Sequence, residues 1–416
     1  MAGLIVLISL VLTAAGCASS AQATPTPTKT PRLEVTEVPT DTPVPPTPVP
    51  PTATPVPPTD TPLPAATDTP DATDAASVTE TPAAAAQPSN PGPVATLPPR
   101  EPGVSVFTGL RPTDPSVLDR RPLAIKVDND PAVIPQSGLD KADVVIESRK
   151  EGCLTRFTAI YQSQDAPRVG SIRSARLVDN ELPVIFDAIL SFSGAVEPVR
   201  QKLYNSDISK QILEQALNGS AFFRDPNIAV PFNLFVNTAT QWSYVTKKGL
   251  NKPPSPTAAW VFSEAAPGGG AAASRVDFTY TKLYAHLKIA WTYDAASGRW
   301  LRFIGGKSAI DKSDGQQLSA ADVVILAANH VQTLIAEQGT TLTKGACSNA
   351  SIEIQLWGEG PVKILRDGKV YEGKWVRPDR HSPFRFVDAQ GQDIPLKPGN
   401  SWWQIVPLDL AVTVTP

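Results

Sequence analysis

Residues 18–102 set the strongest limit on what this chain can fold into. They form a nearly unbroken run of Pro, Thr, Ala, Val and Asp, as in Thr40-Asp41-Thr42-Pro43-Val44-Pro45-Pro46-Thr47-Pro48. Such a stretch carries too little apolar surface to build a core, and its prolines favour extended polyproline II. It is read as a disordered stalk, so the folded part begins near Gly103.

The segment ahead of the stalk says what the stalk is attached to. Met1 to Gly16 is apolar and ends in small residues before Cys17. That is the shape of a bacterial lipoprotein signal over residues 1–17, with Cys17 as the lipidated residue, and it is too short for a comfortable membrane span. No Lys or Arg precedes the apolar run, and Ala14 stands where such signals usually carry Leu. The expected partner is therefore the membrane, through a lipid anchor on the extracytoplasmic face. A net charge of −3 gives no global positive field, so no nucleic acid is expected and any anion site must be local.

Beyond the stalk, strand and helix signals alternate through residues 103–255, which reads as an α/β domain. Strands are expected at Leu123–Val127, Val144–Ile146, Leu154–Tyr161, Asp187–Ser193, Phe222–Asp225 and Asn233–Val236. Asp140 is expected to cap one helical turn, Ser171 or Ser174 to cap another, and Asp207 to cap a helix carrying Ile208, Ile212, Ala216 and Leu217 on one face. Further helices are expected at 196–204 and 240–248. Residues 260–412 alternate at period two and carry hairpin turns at 295–298 and Asp367-Gly368, which reads as a mostly antiparallel β domain closed by Trp402–Val406.

Chemistry concentrates between Gly152 and Arg176. Period-two alternation puts Arg156 on one strand face with Thr158 and Ile160, away from Phe157, Ala159 and Tyr161. Arg173 and Arg176, three residues apart at an expected helix start, would add guanidinium groups to free backbone N–H groups. Two readings stand. The arginines hold a carboxylate, phosphate or sulfated sugar in bidentate fashion, or they pair internally with Glu147, Glu151, Asp187 or Glu197. Glu147 and Glu151, on either side of a turn, would suit glycan hydrolysis if both faced the cleft of Arg156.

Other constellations are thin. His286, His330 and His381 all fall in the β half, which leaves a Ser/His/Asp triad without support. There is no Walker loop, dinucleotide fingerprint, HExxH, CxxC or Cys/His cluster, so no cofactor and no metal are assigned. Cys153 and Cys347 are open to one disulfide or two buried thiols. Of Trp402-Trp403, one ring must point inward, leaving the other as a carbohydrate-platform candidate.

These residues resemble the YerB-like lipoproteins, built of an N-terminal and a C-terminal domain of unknown function. The carriers include Pro135-Gln136-Ser137-Gly138-Leu139, Glu151-Gly152, Thr155-Arg156-Phe157, Gly170, Arg173-Ser174-Ala175-Arg176 and Ser193-Gly194. Arg224, Pro231, Asn233, Asp367-Gly368-Lys369 and Gly373-Lys374-Trp375 follow. The resemblance implies a lipid-anchored extracytoplasmic protein without an established activity. The family pattern places His where this chain has Phe192 and Phe232, so a histidine general acid or base is not carried over. The expected ligand-binding set is Arg156, Arg173, Arg176, Glu147 and Glu151 with Asn129, Gln136, Ser137, Arg224 and Asn233. The expected ligand is an anionic envelope polymer fragment or an acidic protein segment. The alternative is a cell-envelope enzyme acting on glycan or lipid-linked pyrophosphate, by fold-level analogy with the LytR-CpsA-Psr class.

Overall fold

The computed structural model describes residues 101–255, 260–281, 283 and 287–416. Cys17, the signal, the stalk up to residue 100 and His286 lie outside them. In the first half, the strands are β1 (Leu123–Asp128), β2 (Val144–Arg149), β3 (Thr155–Tyr161), β4 (Val169–Gly170) and β5 (Ile189–Phe192). They continue with β6 (Ile212–Glu214), β7 (Phe223–Arg224) and β8 (Leu234–Val236), and the helices are α1 (Leu182–Ile185), α2 (Glu197–Tyr204) and α3 (Thr238–Lys247). In the second half come β9 (Ala271–Ala272), β10 (Arg275–Phe278), β11 (Ile289–Asp294), β12 (Arg299–Ile304), β13 (Lys307–Ser308) and β14 (Ser319–Ala320). The last strands are β15 (Asp322–Ala336), β16 (Ala350–Gln355), β17 (Gly358–Arg366), β18 (Lys369–Arg377), β19 (Arg385–Val387), β20 (Ser401–Pro407) and β21 (Thr413–Thr415).

These make a mixed sheet with α/β character and a smaller antiparallel sheet, as the alternation of elements predicts, with β4-β8-β7 as a separate three-stranded antiparallel sheet. The mixed sheet has 12 strands, running β19-β18-β17-β15-β20-β2-β3-β1-β5-β6 with β16 and β9 as side pairs. β20 does not close the β half at an edge. It lies between β15 and β2, parallel to both, with Trp403 beside Val324 and Ile146, and Trp402 beside Val323 and Val145. Strands from the two ends of the chain thus share one ladder.

The register explains the core. Trp403, Ile146, Val324 and Ile405 enter one apolar cluster with Phe186 and Trp260, while Trp402, Val145, Phe157 and Tyr161 enter the cluster on the opposite face. Both tryptophans are buried, so neither offers a carbohydrate platform. A sheet covered on both faces needs strands that are apolar on both sides, and β1, β2, β3 and β20 meet that demand.

Three local expectations give way to tertiary context. The 207–217 segment is not a helix: after a 3-10 turn at Ser209–Gln211, Ile212–Glu214 pairs parallel with β5. Ile212 and Leu213 then enter opposite clusters, which a strand achieves and a single helical face does not. The turn at Leu139–Lys141 starts from Gly138 in the left-handed region, with Asp140 inside it. A Cβ at Gly138 would lie 2.4 Å from the Arg168 carbonyl oxygen, so both backbone and space demand glycine. The third exception, the arginine loop, is described below. By contrast, α2 and α3 form close to the expected ranges, α3 being capped by Asn237, whose side chain accepts from the Thr240 N–H.

The smaller sheet, β13-β12-β11-β10-β21 with β14, is tied to the large one by a buried ion pair. Arg302 on β12 donates to Glu147 Oε2 on β2 at 2.8 Å, and its guanidinium lies 4.6 Å from the Trp402 ring centroid. Glu147 Oε1 also accepts from Thr155 Oγ1 and Asn129 Nδ2. Arg302→Ala leaves this carboxylate buried without its cation and is expected to cost about 3–5 kcal/mol. The double substitution Glu147→Gln with Arg302→Met is expected to recover most of that loss in urea unfolding.

Candidate functional site: a cleft over the end of β1 and β3

The site is built by following the β1–β3 ladder outward from the core at period two. Ala124 faces Ile160 in the apolar cluster, Lys126 pairs with Thr158, and Asp128 pairs with Arg156. Lys126 is fully buried. Its Nζ donates to Thr158 Oγ1 at 2.6 Å and lies 2.8 Å from Asp179 Oδ1. Burial pushes the Lys126 ammonium below its ordinary pKa, against the pull of Asp179. Asp179 also accepts from the Arg176 backbone N–H, so one carboxylate fixes both the sheet and the start of the 3-10 turn at Leu177–Asn180.

That turn begins after Arg176, not at Ser171 or Ser174. Residues 171–175 run extended because their backbone is used laterally. Asp128 N–H donates to the Ser171 carbonyl, Ile172 to Leu234, Arg173 to Lys126 and Ala175 to Gly194. The N–H groups of Ile172, Arg173 and Ala175 are therefore engaged, and the expected cradle of free N–H groups is not formed there. Gly170 lets the loop approach β8: a Cβ there would lie 2.7 Å from Phe235 Cδ1 and 2.9 Å from the Leu234 carbonyl oxygen.

Arg156, Arg173 and Arg176 do converge. They line one cleft of about 600 Å³ together with Lys150, Glu151, Asp128, Asp130 and Glu337. Arg156 is buried; it donates through Nη1 to the Ser174 carbonyl at 2.8 Å, and Nη2 lies 3.5 Å from Asp128 Oδ1. Burial and then the neighbouring Arg176 lower its pKa to about 10, which keeps it charged at neutral pH. Arg176 Nε donates to Glu151 Oε2 at 2.7 Å, Nη2 donates to Oε1, and Glu337 Oε2 lies 3.3 Å away. Burial alone would raise the Glu151 carboxyl, but hydrogen bonding and charge from Arg176 hold it well below the usual range. Glu337, which accepts from Ser351 Oγ, is raised by burial, and Lys150 is lowered by burial.

Arg173 differs from the other two. Its side chain is 26% exposed, and Nε lies 3.0 Å from Asp128 Oδ2 without an aligned N–H. Its guanidinium is 5.4 Å from the Phe232 ring centroid, at one of the positions where the resemblance placed His. Neither Nη nitrogen has a protein hydrogen-bond partner among the described residues.

The remaining sequence candidates lie elsewhere. Glu147 is on the opposite sheet face, beside Phe157 in register, so Glu147 and Glu151 do not form a carboxylate pair across one cleft. Asn129 and Gln136 belong to the Glu147 network, where Gln136 Nε2 donates to Asn129 Oδ1 at 2.9 Å. Ser137 pairs through its backbone with Gly170, and exposed Arg224 donates to Asn233 Oδ1 at 2.6 Å on the β7–β8 hairpin. Sequence reasoning missed Lys126, Asp128, Lys150, Asp179 and Glu337. The first two were accessible as a Lys and an Asp at period two on an otherwise apolar strand; Glu337 arrives from a distant strand and leaves no local sign.

Cys153 and Cys347 form a disulfide that joins the turn after β2 to the loop between β15 and β16, settling the two open alternatives. Cys347, Gln338, Thr343 and Asn349 form the outer wall of the cleft. Gly152 N–H donates to the Ser348 carbonyl beside the bridge, and Asn349 Nδ2 donates to the Gln338 and Thr341 carbonyls.

The class follows from comparison with known proteins: residues 107–251 match the family "Protein of unknown function (DUF3048) N-terminal domain" and residues 276–403 match its C-terminal domain, and the chain belongs to this family. A particular relative is "Putative lipoprotein YerB" of Bacillus subtilis (strain 168), 32% identical over 312 residues, or 73% of this chain and 87% of the relative. The crystal structure of the YerB protein from Bacillus subtilis is similar with a TM-score of 0.64 and 27% identity, covering 75% of this chain and 99% of that one. The resemblance read from the motif residues is thereby borne out.

Two outcomes test this geometry. Replacing Cys153 and Cys347 together with Ser is expected to lower stability by about 2–4 kcal/mol, because the bridge closes a loop with a sequence separation of 194. Glu151→Gln is expected to cost about 2–3 kcal/mol at pH 7. Since the folded carboxyl sits below its unfolded pKa, its contribution is complete above that unfolded value and is lost as pH falls through the folded one. The gap between Glu151→Gln and wild type in urea unfolding is therefore expected to narrow only below about pH 4.

Proposed function

We propose that this protein is a lipid-anchored, extracytoplasmic binding protein whose cleft takes the acidic group of a cell-envelope polymer fragment. The anchoring half of the reading is supported by the signal-like segment ending at Cys17, by similarity to the Bacillus subtilis relative named as a lipoprotein, and by the Cys153–Cys347 disulfide. The binding half rests on one observation: the Arg173 guanidinium, with neither Nη nitrogen hydrogen-bonded among the described residues, opens onto a cleft whose floor holds further cations. A half-exposed fork of this kind offers two parallel donors to a carboxylate or phosphate. Arg156 and Arg176 shape the floor through their buried pairs, so they act as positioning residues and not as the first contact.

Arg173→Ala is the informative variant, because Arg173 is the least buried of the three and Asp128, its ion-pair partner, keeps Arg156 beside it. Cosedimentation of the full chain with purified anionic cell-wall polymer is expected to weaken about tenfold or more, with a cooperative melting curve retained. Undiminished cosedimentation would refute the assignment.

A further inference from the structure

The cleft is not lined by cations alone. Lys150, Arg156, Arg173 and Arg176 share it with Asp128, Asp130, Glu151 and Glu337, so its formal charges cancel. Most of these groups are engaged with each other: Glu151 with Arg176 and Lys150, and Asp128 with Arg156 and Arg173. Two ends remain. One is the pair of Nη nitrogens of Arg173. The other is Asp130, half-buried, whose Oδ1 accepts from the Ala132 N–H while Oδ2 has no partner among the described residues.

A ligand with acidic groups only would gain at Arg173 and be repelled by Asp130. One that carries an ammonium close to its acidic group would pair with both and leave the cleft neutral. We propose that the cleft takes a zwitterion, with the acidic group on Arg173 and a primary ammonium on Asp130. This rests on the anion-binding reading above and narrows it to fragments bearing free amines. A space of about 600 Å³ is in the range of small-molecule sites and admits a phosphoamine headgroup or a dipeptide.

Two probe pairs separate the ammonium from the acid, and phosphate from carboxylate. They are phosphoethanolamine against ethyl phosphate, and an end-blocked glutamyl-lysine dipeptide against its Nε-acetyl form. Calorimetric titration of the full chain is expected to favour the ammonium-bearing member of at least one pair by about fivefold, the size of one exposed ion pair. Asp130→Asn keeps the turn cap, since Asn caps as well as Asp, and is expected to erase that preference alone. Arg173→Ala is expected to weaken both members.

Equal titration within both pairs, neither member binding included, overturns the zwitterion assignment, as does a preference that survives Asp130→Asn. If the anionic polymer still cosediments in an Arg173-dependent way, the broader reading stands without it; if it does not, that reading falls on its own test.

Discussion

β20 is hydrogen-bonded along both edges, to β15 on one side and β2 on the other, and this double parallel pairing is what makes the two halves of the chain one sheet. Removing it would expose two long strand edges and open both apolar clusters, since Trp402 and Trp403 fill opposite faces at adjacent positions along the ladder. The cleft depends on the same pairing. β15 continues past the sheet into the ribbon with β16, and the loop at the end of that ribbon brings Glu337, Cys347 and Asn349 over the end of β1 and β3.

Charge is distributed on the two faces in different ways. On one face, Glu147 and Arg302 are sealed among Phe157, Trp291 and Trp402, with Glu147 Oε1 accepting from Thr155 and Asn129 and Arg302 Nη1 left without a hydrogen-bond partner among the described residues. On the other, Lys126 and Asp179 lie buried beneath Asp128, Arg156 and Arg176, and the arginine and lysine side chains become more exposed from Lys126 to Arg156, Arg176 and Arg173. A buried pair fixes geometry because breaking it leaves an unpaired charge. The layered arrangement therefore holds Arg173 at the rim while the groups below it stay fixed.

Much of this was legible in particular residues. The strand faces of β3, the position of α3 and the alternation of 289–304 all follow from period and composition, whereas the three arginines converge through a loop and not through the expected helix start. The segment 207–217 was not legible, because an apolar spacing of four fits a helical face and also a strand whose neighbours cover both sides. Nor was the role of Glu147: a carboxylate at the end of an apolar strand reads as a site residue until a cation from β12 is found against it.

The sequence by itself determined the family, the placing of a Pro/Thr-rich segment before the folded part, and the strand face on which Arg156 lies, since these depend on composition and on short-range periodicity. The tertiary structure alone decided which carboxylate meets which arginine, that Cys153 is joined to Cys347, and that β20 lies at the centre of the sheet. Each of those pairings joins residues far apart in the chain, and their energy depends on burial and distance, which no local pattern of residue types encodes.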